Sequence, residues 1–282
     1  MQNICIGDYP TRITAKRFQA MTSTRFARLI AVVVLLSPLT AHAQDARKDI
    51  PDQHTIELYI HGAPTRPTET WLRAAGGRIY DNWWDALARK KPETTHPAYP
   101  KTGQRSGATT WRCVECHGWD YNGRDGLNGS GERYTGIKGI RKAAGRHVAR
   151  IMALLRAAPH DYTRDQINDE ELRRVAIFVS RGQDIADRYI DPKTGNVKGD
   201  TTRGAALFQT TCAACHGFDG RALNWGTAQE PGYIGTEANK FPHEVLHKIR
   251  NSHPGAAMIN LRAFPLKDAV DVLAFARTLP VK

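Results

Sequence analysis

Cysteine is scarce in this chain: five residues in 282, four of them in two short motifs. That leaves no spare pairs for the disulfide framework of a small secreted domain. Long hydrophobic runs are missing as well. The best apolar stretch, residues 29–36, is too short to count as a membrane span. No segment alternates apolar and polar residues strongly enough to predict a substantial sheet. Acidic residues are under-represented, 28 against 40 Lys and Arg, for a formal net charge of +12. The basic residues form no arginine-rich stripe with interleaved aromatics, so nucleic acid is not an expected partner.

The four clustered cysteines stand in a repeated pentapeptide. Cys113-Val114-Glu115-Cys116-His117 and Cys212-Ala213-Ala214-Cys215-His216 both read C-x-x-C-H, the attachment signature of c-type haem. Two thiols at this spacing add to the two vinyl groups of one porphyrin, and the adjacent imidazole reaches the iron. The competing readings account for less. A zinc ribbon pairs its C-x-x-C units about 15–20 residues apart, whereas these lie about 95 apart. A thioredoxin-like site needs a βαβ setting and no histidine after the second cysteine. Two structural disulfides would leave both histidines unexplained. The expected cofactors are therefore two covalently bound haem c groups, attached through Cys113, Cys116, Cys212 and Cys215, with His117 and His216 as proximal iron ligands.

Residues 21–43 have the form of a secretory signal: Arg25 and Arg28, an apolar core at 29–36, and Ala41-His42-Ala43 as a small-x-small cleavage site. Met21 stands directly before it, so residues 1–20 read as an over-extended start. An uncleaved membrane anchor is the other reading. Covalent haem attachment occurs on the exported side of the membrane, which agrees with a periplasmic destination. Removal of residues 1–43 takes Cys5 away and leaves no cysteine outside the two motifs.

The remaining chain is long enough for two domains of roughly 100 residues. Residues 44–68 carry prolines without periodicity and predict an irregular N-terminal arm. Residues 69–182 and 201–282 then repeat one order: helix, C-x-x-C-H-G, glycine-bearing loop, helix, closing amphipathic helix. Cys-His-Gly-Trp-Asp at 116–120 matches Cys-His-Gly-Phe-Asp at 215–219. Asn168 with Glu171 predicts a capped start for the first closing helix, and Pro280 stops the second. Gly76 and Gly204 sit where opening and closing helices would cross closely. The polar stretch 183–200, with Pro192, Gly195 and Gly199, predicts the linker. Relative to the second half, the first carries about 29 extra residues near 81–110, including Trp83, Trp84, Pro97 and Pro100. They would cover a haem edge, present a partner surface, or be inert. The fold class is all-α, with two tandem domains each wrapped around one haem.

The sixth iron ligand must come from farther along each half. Met258, in the small-residue loop Ser252-His253-Pro254-Gly255-Ala256-Ala257-Met258, is the candidate for the second haem; His243, His247 and His253 are alternatives. Aligning Ile151 with Ile249 sets His160 opposite Met258, which predicts bis-histidine ligation of the first haem. Met152 and His147 are its rivals. Trp111, Trp119, Tyr121, Tyr134 and Phe218 are expected to wall the pockets. Arg112, Arg124, Arg141 and Arg221 are expected near propionates.

With both motifs, the Met258 loop and the ending Asp-Val-Leu-Ala-Phe-Ala-Arg-Thr-Leu-Pro at 271–280, the chain resembles the class I c-type cytochromes, specifically the two-domain dihaem cytochromes of bacterial periplasms. The resemblance spans roughly residues 69–282. It implies helices around each haem, exposed haem edges and electron transfer between redox partners. Those partners are expected to have acidic docking surfaces, and the chain is expected to work alone or with a membrane or periplasmic oxidoreductase. Imidazole pairs favour ferric iron and thioether favours ferrous iron, so the first haem is expected at lower potential than the second. The alternative is a dihaem enzyme, peroxidase-like or thiosulfate dehydrogenase-like, with one exchangeable iron position. The thiosulfate enzymes are associated with a cysteine iron ligand, for which no cysteine remains.

Overall fold

The computed structural model describes residues 57, 58 and 60–282; the signal-like segment and most of the N-terminal arm lie outside the described residues. Residues 57, 58, 60 and 61 are helical and residues 62–68 irregular, followed by helix α1 (Glu69–Asp81) and the single turn α2 (Trp83–Ala86). The first motif forms α3 (Cys113–His117). Helices α4 (Val148–Arg156) and α5 (Asp169–Arg181) complete the first half. The second half runs α6 (Thr201–Leu207), a wider π-type turn (Phe208–Cys212), α7 (Ala213–His216), α8 (Ile234–Lys240), α9 (Pro242–Asn251) and α10 (Leu266–Ala276). Among the described residues there is no strand, only isolated bridges such as Gly123 to Lys138, so the class is all-α as expected. No described helix is long and apolar enough to cross a membrane.

Local chemistry explains where the helices begin. Thr68 caps α1, its hydroxyl accepting from the Trp71 amide at 3.2 Å. Asn168 and Glu171 form the reciprocal capping box predicted for α5, at 2.9 and 2.8 Å. Asp200 accepts from the amides of Thr202 and Arg203 at the start of α6.

Helix α5 packs along α1, and α10 along α6. The two crossings are closed by the two glycines singled out in the sequence. A Cβ on Gly76 would overlap the Arg174 carbonyl and the Phe178 Cβ; one on Gly204 would overlap the Asp271 carbonyl. Because the obstructing atoms are mostly backbone, neither crossing relaxes by a rotamer change.

Two hydrophobic cores result. One gathers Ile79, Tyr80, Trp83, Trp84, Val114, Ile167, Leu172, Phe178 and neighbours; the other gathers Ile190, Phe208, Leu246, Val270, Leu273 and neighbours. Both belong to one compact unit, residues 51–282. The stretch 183–200 joins them as packed chain. Ala186 and Ile190 are buried in the second core, and Asp184 pairs with Arg250 and Arg262 of the second half at 3.2 and 3.1 Å. The extra segment near 81–110 is likewise packed: Trp83 and Trp84 join the first core, and the Trp111 indole donates to the Thr94 carbonyl at 2.8 Å.

Candidate haem sites

A cavity of about 700 Å³ opens in the first half. Cys113, Cys116 and His117 of the motif line it together with Ile151, Leu154, Leu155 and His160. The size suits a large, flat, mostly apolar ligand. Helix α3 delivers the cysteines and histidine because C-x-x-C-H fits a single helical turn, ended by Gly118 at φ 79°. A left-handed glycine there lets the chain turn away immediately after the imidazole.

His160 faces His117 across this space. Their ring centroids are 6.2 Å apart, with planes inclined by 37°. Two metal–imidazole bonds of about 2 Å plus two ring radii of roughly 1.2 Å give about 6.4 Å for rings coordinating one metal from opposite sides. The spacing leaves room for one metal ion that both rings would hold. The second nitrogen of each ring is already engaged. His117 Nδ1 donates to the Lys138 carbonyl at 2.8 Å, and His160 Nδ1 to the Leu154 carbonyl at 3.1 Å. These bonds place the proton on Nδ1 and leave Nε2 as the nitrogen with a free lone pair on both rings. Burial holds His117 neutral, its pKa brought down to about 4, and lowers that of His160 also. Neither ring has to shed a proton at neutral pH to bind iron.

The extra segment supports this arrangement. His96 lines the cavity; its Nε2 donates to the His160 carbonyl at 3.2 Å, while its Nδ1 accepts from the Ala98 amide. Its ring also packs on Trp111 at 4.3 Å. Tyr162 donates to the Trp111 carbonyl at 2.7 Å and closes the same wall. Burial pushes the Cys113 and Cys116 thiols up to about 11 and about 12, so both are uncharged thiols in the protein without haem. The rivals of His160 sit elsewhere. Met152 packs against the first hydrophobic core, and neither it nor His147 lines the cavity.

The second motif is built similarly, except that Cys212 closes the π-type turn and the helix begins at Ala213. The chain again turns at a left-handed glycine, Gly217 at φ 77°, after His216. His216 is buried, with Phe208 and Trp225 as ring neighbours at 6.5 and 5.8 Å. Burial lowers its pKa, and its Nδ1 has no hydrogen-bond partner. The donor set, two thiols and a neutral imidazole within five consecutive residues, fits haem attachment. Met258 is half-buried in the loop after α9, where the Ser252 hydroxyl donates to its carbonyl at 2.7 Å. The large cavity contains no residue of this second set.

Several flanking residues have roles other than those expected. Trp119 and Tyr121 do not wall the cavity; they pack on His247 of α9, at ring separations of 5.1 and 6.3 Å. Tyr134 and Phe218 are exposed. Arg112 borders the cavity but pairs with Asp81 and Glu115, Arg141 pairs with Asp187, and Arg221 with Asp219. The cations at the cavity rim without a carboxylate partner among the described residues are Lys138, Lys142 and Arg146. No local sequence signal distinguished them from the paired arginines.

Residues 199–275 match the family model described as cytochrome c oxidase, cbb3-type, subunit III. A c-type cytochrome domain is thus present in the second half, with the covalent haem c, iron and electron-transport role that such a domain carries. Domains of this type typically lie outside the cytoplasm. The match covers well under half of the chain and excludes the first motif. No curated protein matches the chain.

Proposed function

We propose that the chain is an exported dihaem c-type cytochrome that carries electrons between redox partners, with two tandem haem-binding halves. Cys113 and Cys116 would hold the first haem and Cys212 and Cys215 the second. His117 and His160 would ligate the first iron, His216 and Met258 the second. Each haem supplies a one-electron ferric–ferrous couple; the protein's part is to fix the axial ligands, exclude water and present the site. The observation that carries the reading is the facing His117–His160 pair in a cavity that also contains both cysteines of the motif. With two imidazoles on the first iron and a thioether on the second, the first haem is the lower-potential centre and feeds the second.

The rim cations Lys138, Lys142 and Arg146 favour a partner with an acidic docking surface. A half-buried His160 held by a hydrogen bond to the Leu154 carbonyl favours the carrier over an enzyme with an exchangeable iron position. The test is haem content with optical spectra of the purified protein in both oxidation states. Two haems per chain, both low-spin and inert to carbon monoxide and peroxide, are expected. A single haem, or one that readily takes carbon monoxide, would overturn the proposal.

A further inference from the structure

Helix α9 belongs to the second half, yet one of its faces is built into the first. His247 is 1% exposed and surrounded by first-half rings: Tyr80, Trp119, Tyr121 and Phe178, all within 6.3 Å between centroids. Both of its nitrogens are used across the junction. Nε2 donates to the Gly77 carbonyl on α1 at 2.9 Å, and Nδ1 accepts from the Tyr121 hydroxyl at 3.1 Å. One helical position on, Lys248 reaches Asp81 at 2.8 Å and lies over the Trp119 ring at 5.3 Å. Asn251, fully buried one turn along the same face, fills the space left by Gly77, where a Cβ would overlap its side chain. The opposite face of α9 presents Val245, Leu246 and Ile249 to the second core.

The repeated motif provides an internal comparison. Trp119 and Phe218 follow their C-x-x-C-H-G turns at the same position, yet Trp119 is 6% exposed and Phe218 is 75% exposed. The burial of Trp119 is therefore not a property of the motif. His247 and Lys248 of α9 pack on its ring, beside Arg112 and the first core.

We propose that His247 is the positioning residue that welds the two haem-binding halves into one rigid unit, so that electrons cross between them at a fixed separation. The inference rests on the dihaem reading. The step itself moves one electron from a ferrous to a ferric centre, with no bond made or broken and no proton transferred. Because the imidazole is buried and hydrogen-bonded on both of its nitrogens, the halves do not swing on a tether, and transfer needs no domain motion.

Two measurements on the haem-loaded protein test this. Calorimetry should show one cooperative transition for the wild type and two for His247→Ala, as each half unfolds on its own. Intramolecular electron exchange, followed after photoreduction, should be independent of solvent viscosity in the wild type. In His247→Ala it should become several-fold slower and viscosity-dependent. His247→Gln keeps a donor for Gly77 and should restore most of both properties. If His247→Ala fails to fold, Tyr121→Phe, which removes one bond only, should broaden the transition and introduce weaker viscosity dependence. Two transitions or viscosity-limited exchange in the wild type would overturn the proposal, as would a folded His247→Ala variant that behaves like the wild type. A haem-to-chain ratio of one would sink the dihaem reading instead, while the calorimetric comparison would still decide whether His247 joins the halves.

Discussion

Replacing Gly76 with alanine sets two effects of opposite sign against each other. Alanine in a helix interior is favoured over glycine by about 1 kcal/mol. Here the new methyl group would collide with the Arg174 carbonyl and the Phe178 Cβ on α5, and a backbone carbonyl cannot rotate away. Overpacking of this kind costs about 1–3 kcal/mol, because the helices must separate and loosen the contacts of Tyr80 and Phe178. An overlap with a backbone carbonyl falls at about 2–3 kcal/mol, the upper end of that range, so sterics should win by roughly 1–2 kcal/mol, or a thermal midpoint lowered by about 2–8 °C in a protein of this size. Gly204→Ala should behave alike, since its Cβ would meet the Asp271 carbonyl and Phe275 at the equivalent crossing. Urea and thermal unfolding of the haem-loaded protein measure both. An unchanged or raised midpoint for either variant would show that the crossing is looser than the close approach requires.

The other expectations concern the buried charges and the ligands. Asp184 is the shared carboxylate partner of Arg250 and Arg262, both under 10% exposed, so Asp184→Ala leaves two buried cations without it and should cost about 3–5 kcal/mol in urea unfolding; a loss below about 1 kcal/mol would refute the pairing as a stabiliser. Burial holds His247 neutral with a pKa near 4, against 6.5 for the free side chain. The unfolded chain therefore binds the extra proton first. This contribution to stability is complete above pH 6.5, shrinks as pH falls through the interval to about 4, and totals about 3 kcal/mol. His247→Gln should flatten the stability profile across that window relative to wild type, and parallel profiles would contradict it. His160→Met should raise the midpoint potential of the first haem, because thioether favours ferrous iron; a lowered or unchanged potential in a redox titration would count against His160 as a ligand.

Much of the candidate site was legible because it is encoded locally. The pentapeptides keep two thiols and an imidazole within five consecutive residues, and the capping box at Asn168 follows from four residues of sequence. His160 emerged from the internal repeat, which converts a similarity of spacing into a position opposite the motif. What stayed hidden depends on residues far apart in the chain. Trp119 and Tyr121 read as pocket walls because they adjoin the motif, but they are claimed by His247, 126 residues beyond Tyr121. His247 itself gives only a helical spacing with His243, and its bond to Gly77 spans 170 residues. Arginines near the motifs could not be sorted into free and paired without knowing that Asp81 and Asp187 meet Arg112 and Arg141. Local pattern reports what a side chain can do; long-range packing decides which partner it meets.

Electron paramagnetic resonance of the oxidised, haem-loaded protein and two variants tests the central claim most directly. The wild type should show two low-spin ferric signals. His160→Ala should convert one of them to high-spin, as the first iron loses its second imidazole, and Met152→Leu should leave both intact. A spectrum unaltered by His160→Ala, or altered by Met152→Leu, would contradict the assignment of His117 and His160 as the axial pair.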